Sequence, residues 1–417
     1  MRTALIPLLL WNFSFAAIAA DPLPQARPEQ VGLSSERLAR IRDVLEADIK
    51  AGRIPGAVVL VMRHGKIAYF EAFGSQNPQG GAAAQKESIY RLYSMTKPVV
   101  SVAVMMLWEE GRFDLDDPIA QYLPALKDLK LAVWHRNSSG GGSVELQSPK
   151  HQPTIQQLLD HTGGLSYEIL PQSPDHPVRQ MYAEAKIGDP SGTLSELVSK
   201  IGKLPLASEP GSVWEYSRST DVLARLVEVV SGMPIDKFLE ERIFKPLGMN
   251  DTGFWVPTEK QSRVAEPFSN DPPPGYPVRF LDVVKRPTLL SGNIGLVSTA
   301  EDYARFAQML LNGGSLDGKR LVGPKTVRYM TSDQLGSVRG PLPGYGFGLG
   351  FAVRSTIGLA PYPGSEGDFG WVGAAGTVFW VDPKEDLAAV FMTQRFGDAT
   401  AHYTRLIRTL IYQSIVQ

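Results

Sequence analysis

The chain has 417 residues, of which 43% are hydrophobic and 20% charged, the balance of a globular protein with a substantial core. Its 42 basic and 43 acidic residues leave a net charge of −1, which removes the basic footprint of a nucleic-acid binder and argues against an anionic membrane surface as the main partner. The absence of cysteine excludes disulfides, thiolate nucleophiles, cysteine-ligated zinc and lipid attachment through cysteine.

Residues 1–20 read as a secretory signal. Arg2 supplies the positive start, an apolar stretch begins at Ala4, and Ala17-Ile18-Ala19 fits a cleavage site cut after Ala19 or Ala20. Asn12 and Ser14 interrupt a stretch barely long enough to span a bilayer, so the expectation is a periplasmic or secreted protein without stable membrane insertion once the signal is cut. A Pro-rich lead-in follows. The spacing of Leu38, Ile41, Val44 and Leu45 predicts a helix over 34–50, capped by Ser34 or Ser35. Residues 56–62 and 66–73 are apolar and β-rich, joined by Arg63-His64-Gly65, which predicts a hairpin. Helical patterns then run over 97–110, 154–160, 219–231, 235–244 and 299–311, most of them ended by glycine. Strands return over 345–353, 377–381 and 387–393, and 400–415 reads as a closing helix. Residues 137–143 and 272–277 read as loops.

Strands at both ends with helices between them predict an α/β (α+β) fold: one antiparallel sheet built from N- and C-terminal segments, flanked by helices, with an inserted all-α domain. The boundaries are 30–90 and 295–417 for the sheet domain and 91–294 for the mainly helical domain with its active-site loops.

The chemistry narrows by elimination. The six histidines are scattered and no H-E-x-x-H occurs, so neither a metal nor a cofactor is expected. No G-x-S-x-G nucleophile elbow is present. Asp114, Asp116 and Asp117 sit in a turn-like stretch and read as solvated caps. What stands out is Ser94-Met95-Thr96-Lys97-Pro98 at a helix start. Proline is tolerated only in the first helical turn, so Pro98 fixes that start close to Ser94. Val99, Val102, Ala103 and Met106 then give the helix an apolar face. Ser94 lies at the positive end of the helix dipole and Lys97 one turn on, on the same face. A serine hydroxyl needs a base before it attacks. A lysine, ordinarily of pKa about 10.4, becomes one when desolvation disfavours its cation.

This motif resembles the first motif of the serine β-lactamase and penicillin-binding-protein superfamily. Trp214-Glu215-Tyr216-Ser217-Arg218-Ser219 is similar to the tyrosine motif of class C β-lactamases and their esterase relatives. Gly370-Trp371-Val372-Gly373-Ala374-Ala375-Gly376-Thr377 stands where β-lactamases carry Lys-Thr-Gly on an inner strand. Residues 158–165 (LLDHTGGL) and 295–300 (GLVSTA) extend the likeness, which covers about residues 30–415. It implies a β-lactamase/transpeptidase-like fold and a serine hydrolase, with Ser94 as nucleophile, Lys97 and Tyr216 as its bases, and an oxyanion hole from the N–H groups of Ser94 and Ala374. Tyr216 is expected as a phenolate, its pKa lowered by the Lys97 ammonium with which it shares a proton. Two departures stand out. Trp371 replaces the cation that holds the antibiotic carboxylate, which favours neutral esters and resembles the Trp-Gly-Gly of family VIII carboxylesterases, with Val372 differing. Arg218 replaces an asparagine, and either points out of the site or attracts acidic substrates. Trp371 and Gly373 are the expected substrate contacts, and Trp214, Trp255 and Phe369 join Trp371 as candidate pocket walls. The expected substrate is a small-molecule ester or lactam. The function expected is that of a carboxylesterase. The rivals are a β-lactamase or D-amino-acid peptidase (D-Ala carboxypeptidase), an acyltransferase, and a non-catalytic penicillin-binding-like module.

Overall fold

Every residue from Ala57 to Met62 is apolar and fully buried, which suits a strand covered on both faces. In the computed structural model, which describes residues 21–137, 142–168, 177–272 and 278–416, this segment is β1 (Gly56–Arg63) at the heart of an eight-stranded antiparallel sheet. The expected signal at 1–20, and parts of the expected loops at 138–141 and 273–277, lie outside the described residues. The other strands are β2 (Lys66–Asn77), β3 (Ala82–Ala83), β4 (Tyr345–Phe347), β5 (Ala352–Arg354), β6 (Phe369–Val372), β7 (Val378–Asp382) and β8 (Leu387–Met392). Their order is β4-β5-β6-β7-β8-β1-β2-β3, so the sheet is closed by the pairing of β1 with C-terminal β8, Leu60 opposite Val390.

Alternation along the strands sorts the two faces. Ala57, Val59 and Val61 join Trp380, Ala389 and Phe391 under the terminal helices Ser35–Lys50 and Ala399–Tyr412. Val58, Leu60 and Met62 join Phe379, Val390 and Met392 against the helix Ala300–Leu311 and the helical region beyond it. Ser34 is the N-cap of the first helix, accepting from the Arg37 N–H at 3.2 Å.

Three elements differ from their sequence reading. The expected strand over 345–353 is two strands, because Gly348-Leu349-Gly350 turns the chain there. Gly350 has φ of 96°, and a Cβ on it would overlap the Ser101 side chain. The helix over 97–110 begins at Thr96 and is buried on every side from Thr96 to Leu107, because it is enclosed between the sheet domain and the surrounding helices. The middle region also holds a hairpin, Leu131–Arg136 with Gly142–Gln147, so it is not all helical.

One buried charge cluster ties the β4–β5–β6 edge to the C-terminal helix. Asp368 accepts from Arg354 at 2.6 Å, Arg408 at 3.2 Å and the Tyr345 hydroxyl at 3.1 Å. Asp368→Asn removes the carboxylate that both buried guanidiniums share. A loss of about 3–5 kcal/mol is expected, read as a lower urea midpoint with unchanged slope.

Candidate active site

The segment before the helix is pinned at each residue. Tyr90–Arg91 pairs with Val297–Ser298, and the Leu92 N–H donates to Leu296 O at 2.8 Å. Thr377 donates its hydroxyl to Leu92 O at 3.1 Å, and Tyr303 donates to Met95 O at 2.7 Å. Between them Tyr93 has φ of 47°, a left-handed conformation that costs a bulky residue on the order of 1–3 kcal/mol. Its surroundings hold it there. The ring packs against Phe280 and Phe396, and the hydroxyl donates to Arg279 O at 3.1 Å and accepts from the Leu281 N–H at 3.2 Å. Ser94 is thereby presented in the 3-10 turn Tyr93–Met95 that leads into the buried helix.

Lys97 is 1% exposed. Its Nζ donates to Ser94 Oγ at 3.3 Å and to Asn293 O at 3.0 Å, and sits 4.4 Å from the centre of the Tyr216 ring. Burial depresses its pKa well below the ordinary lysine value; Asp221 opposes and Arg218 adds to that effect. The amine is therefore neutral at a pH where an exposed lysine is charged, with a lone pair within reach of the serine proton.

Tyr216 is half-buried with its hydroxyl enclosed, and that hydroxyl faces the side chains of Ser94 and Trp371 without a hydrogen bond of standard geometry. Burial is the largest influence on it and raises its pKa above the ordinary phenol value. The expected phenolate is therefore corrected: desolvation, the largest influence, disfavours the anion and raises the phenol's pKa instead of lowering it. Trp214 stacks on Tyr216 (26° between planes), Trp371 lies 5.6 Å from it and Phe347 5.2 Å from Trp371, forming an aromatic wall.

The third motif is brought to Ser94 by a close approach of backbones. Gly373 is buried; its N–H donates to Thr377 O at 2.7 Å, its carbonyl accepts from Thr400 at 2.9 Å, and a Cβ on it would overlap Leu92 O. Gly373 thus allows this close packing, and its expected contact with substrate remains part of the proposal below. Ala374, next in the chain, is half-buried and packs against the cluster that contains Tyr93, the residue before the half-buried Ser94.

The remaining candidates divide. Phe369 is a core residue against Phe351, and Trp255 lies under Arg286; neither joins the aromatic wall. Arg218 is buried over the Tyr167 ring, bonded to Glu168 and, at 2.9 Å, to Asp221, so its charge is already neutralised and offers no anchor for an acidic substrate. His161 was not singled out as a site residue. It is buried, 5.0 Å from the Tyr216 ring, with Nδ1 3.1 Å from Ser217 Oγ, and burial holds its pKa well below the ordinary imidazole value. Its sequence signal is the Asp160-His161-Thr162-Gly163 turn, in which Asp160 accepts from the Thr162 N–H at 2.9 Å and hydroxyl at 2.7 Å. Among the described residues no group of three or more acidic or histidine side chains could hold a metal, and no helix is long and apolar enough to cross a membrane.

Comparison with known proteins agrees with this arrangement. A beta-lactamase family model matches residues 41–412. Protein Rv1367c of Mycobacterium tuberculosis is 34% identical over 379 residues, covering 86% of this chain and 90% of that protein. Esterase EstB of Burkholderia gladioli is 31% identical over 404 residues, covering 90% and 95%. Among solved structures, EstCE1, described as a hydrolase with promiscuous acyltransferase activity, superposes with a TM-score of 0.74 at 27% identity, covering 90% of this chain and 99% of its own.

The lysine's burial has a stability signature. On unfolding, Lys97 takes up a proton that the folded state refuses, so this lysine favours unfolding at neutral pH and ceases to do so as pH approaches its unfolded value of about 10.4. The unfolding free energy of the native chain is expected to gain on that of Lys97→Met as pH rises from 7 to 10. Parallel urea titrations of the two proteins at several pH values check this.

Proposed function

The chain belongs to the beta-lactamase family and is a serine hydrolase; on that premise we propose that it is a carboxylesterase acting on small neutral esters through an acyl-enzyme at Ser94. The observation that carries this reading is the buried Lys97 amine 3.3 Å from Ser94 Oγ, in a site whose third motif offers the indole of Trp371 in place of a cation. The esterase relatives support it.

In the proposed reaction, Ser94 Oγ attacks the ester carbonyl as Lys97 accepts its proton. The backbone N–H groups of Ser94 and Ala374 receive the developing oxyanion, and Trp371 and Gly373 contact the substrate. Tyr216, protonated and beside Ser94, delivers a proton to the departing alcohol and recovers one from the Lys97 ammonium. Water then takes the alcohol's place, and the same steps in reverse clear the acyl group. Because Trp371 has an N–H donor and an aromatic face but no charge, a carboxylate-bearing lactam gains no ion pair there. Export through cleavage after Ala19 or Ala20 is part of the same proposal, and N-terminal sequencing of the protein produced with residues 1–20 attached tests it.

Ser94→Ala is expected to lower kcat by about three or more orders of magnitude without altering the circular dichroism spectrum. Nitrophenyl esters should turn over faster than a chromogenic cephalosporin, with an acyl adduct on Ser94 visible by intact mass. Faster cephalosporin turnover would reverse the substrate assignment, and near-native activity in Ser94→Ala would remove Ser94 as nucleophile. The pH dependence has a defined sign. The value of kcat/KM should rise with pH as Lys97 loses its proton, along a limb lying well below the ordinary lysine range, and should not fall on the alkaline side before the ordinary phenol range is passed.

A further inference from the structure

Among the described residues Lys97 has no carboxylate as a hydrogen-bond or ion-pair partner. The oxygen that orients its amine is a backbone carbonyl, Asn293 O, and that carbonyl is itself held in place from the far side. The Asn293 N–H donates to Asp221 Oδ1 at 3.0 Å, and the Ser291 hydroxyl donates to the same oxygen at 2.7 Å. The Asn293 side-chain amide donates to Ser217 O at 3.2 Å, next to Tyr216 in the chain. Gly292 lets this turn lie directly on the Ser219–Ser231 helix, since a Cβ there would meet Thr220 O and Ala224 Cβ at 2.6 Å. The second oxygen of Asp221 accepts from Arg218 at 2.9 Å, and Asp221 is fully buried.

We propose that Asp221 is the positioning residue of the catalytic lysine: it fixes the turn 291–293 whose carbonyl aims the Lys97 amine at Ser94, and with Arg218 as its counter-ion it sets the charge environment in which that amine exchanges its proton. Two independent threads meet at this carboxylate. One is mechanical, running through Ser291 and Asn293. The other is electrostatic, for the Asp221 anion favours a charged Lys97 while the Arg218 cation disfavours it. The groups facing Lys97 from its surroundings are few. They are Ser94 on its own segment, the Tyr216 ring, neutral His161, the Asn293 carbonyl, and Asp221 with Arg218 at the start of the Ser219–Ser231 helix. Glu168 and Tyr167 act on Arg218 from behind. Asp160 turns its carboxylate to Thr162. Apart from Arg218 and Asp221, none of the groups facing Lys97 carries a charge at neutral pH, so loss of the anion acts on the lysine directly.

The catalytic part of this inference rests on Lys97 being the base, and the test separates the two. In Asp221→Asn the Lys97 titration midpoint, read from the 13Cε resonance assigned against Lys97→Met, should move to lower pH, because the anion that favoured the ammonium is gone while Arg218 remains. In the same variant kcat should fall roughly tenfold or more with KM changed less than about threefold, since a misaimed amine affects the transition state and not substrate binding. Ser291→Ala keeps the carboxylate and removes only one tether. It should lower kcat several-fold with KM held, and shift the midpoint less than Asp221→Asn does. A folded Asp221→Asn protein with native midpoint and native kcat overturns the proposal, whatever its melting temperature. Should Asp221→Asn not fold, Ser291→Ala decides: a native kcat overturns it, and a kcat loss at constant KM supports it. If the native protein hydrolyses no ester, the esterase reading fails, and the resonance titration still decides whether Asp221 governs the lysine.

Discussion

A lysine amine enclosed on every side is the constraint from which the rest of this site follows. The Thr96–Glu109 helix is buried through its first three turns, so Lys97 has no route by which its long side chain could carry a charge out to water. An ammonium in that position would need a carboxylate in contact, and it has only a hydroxyl, a carbonyl and an aromatic ring. Burial disfavours the ammonium and lowers the pKa of the amine well below the ordinary lysine value. The same burial that makes it a poor contributor to stability moves it toward acting as a base, and the adjacent tyrosine, desolvated by the same walls, is pushed toward the protonated phenol. One environment thus pushes an amine and a phenol in opposite directions along the pH scale, which is the separation that acid–base chemistry requires.

Holding that amine against Ser94 takes parts from distant stretches of chain. The nucleophile segment is bonded to 296–298 on one side and to Thr377 on the other, and the left-handed Tyr93 between these anchors is kept there by an aromatic cluster that also touches Ala374. Backbone strain of this kind survives only where neighbours over-determine it. Here Ala374, whose N–H is proposed to receive the oxyanion, packs against the same cluster, which couples the strained residue to the third motif. The Gly373 approach to Leu92 has the same effect: the end of β6 is seated against the residue two before the serine, and no side chain could fit between them.

Much of this was legible in the sequence because it depends on local rules. Pro98 marked the helix start, alternation marked the strands, and the resemblance of three short motifs to a known family implied which distant residues meet. What was not legible depends on enclosure. The pattern of Val99, Val102, Ala103 and Met106 predicts a helix with one buried face, whereas the surrounding layers cover all of it, and from that difference comes the reversal of the Tyr216 protonation state. Gly373 read equally well as a substrate contact or a packing residue, and only the position of Leu92 O shows the packing role. Arg218 read as a departure with two outcomes, because its partner Glu168 lies fifty residues upstream and no local pattern announces that pairing. The hairpin at 131–147 and the division of 345–353 were missed for a related reason: short segments are set by their tertiary neighbours more than by periodicity.

The exchange of a cation for Trp371 has to be considered together with the charges beneath the site. A lysine at position 371 would set a second positive charge near an amine that already feels Arg218, and would oppose protonation of Lys97 during the attack. With an indole there, the charged groups facing Lys97 reduce to Arg218 and Asp221, whose effects on it oppose each other. In the proposed reaction the proton that leaves Ser94 then enters a region where these two opposing charges act, bounded by aromatic rings that carry no charge of their own. Such a site gains little from a carboxylate on its substrate and loses little from its absence. On the proposed esterase reading, a preference for neutral esters rests on two features together, the uncharged indole of Trp371 and the buried Arg218–Asp221 ion pair behind the lysine.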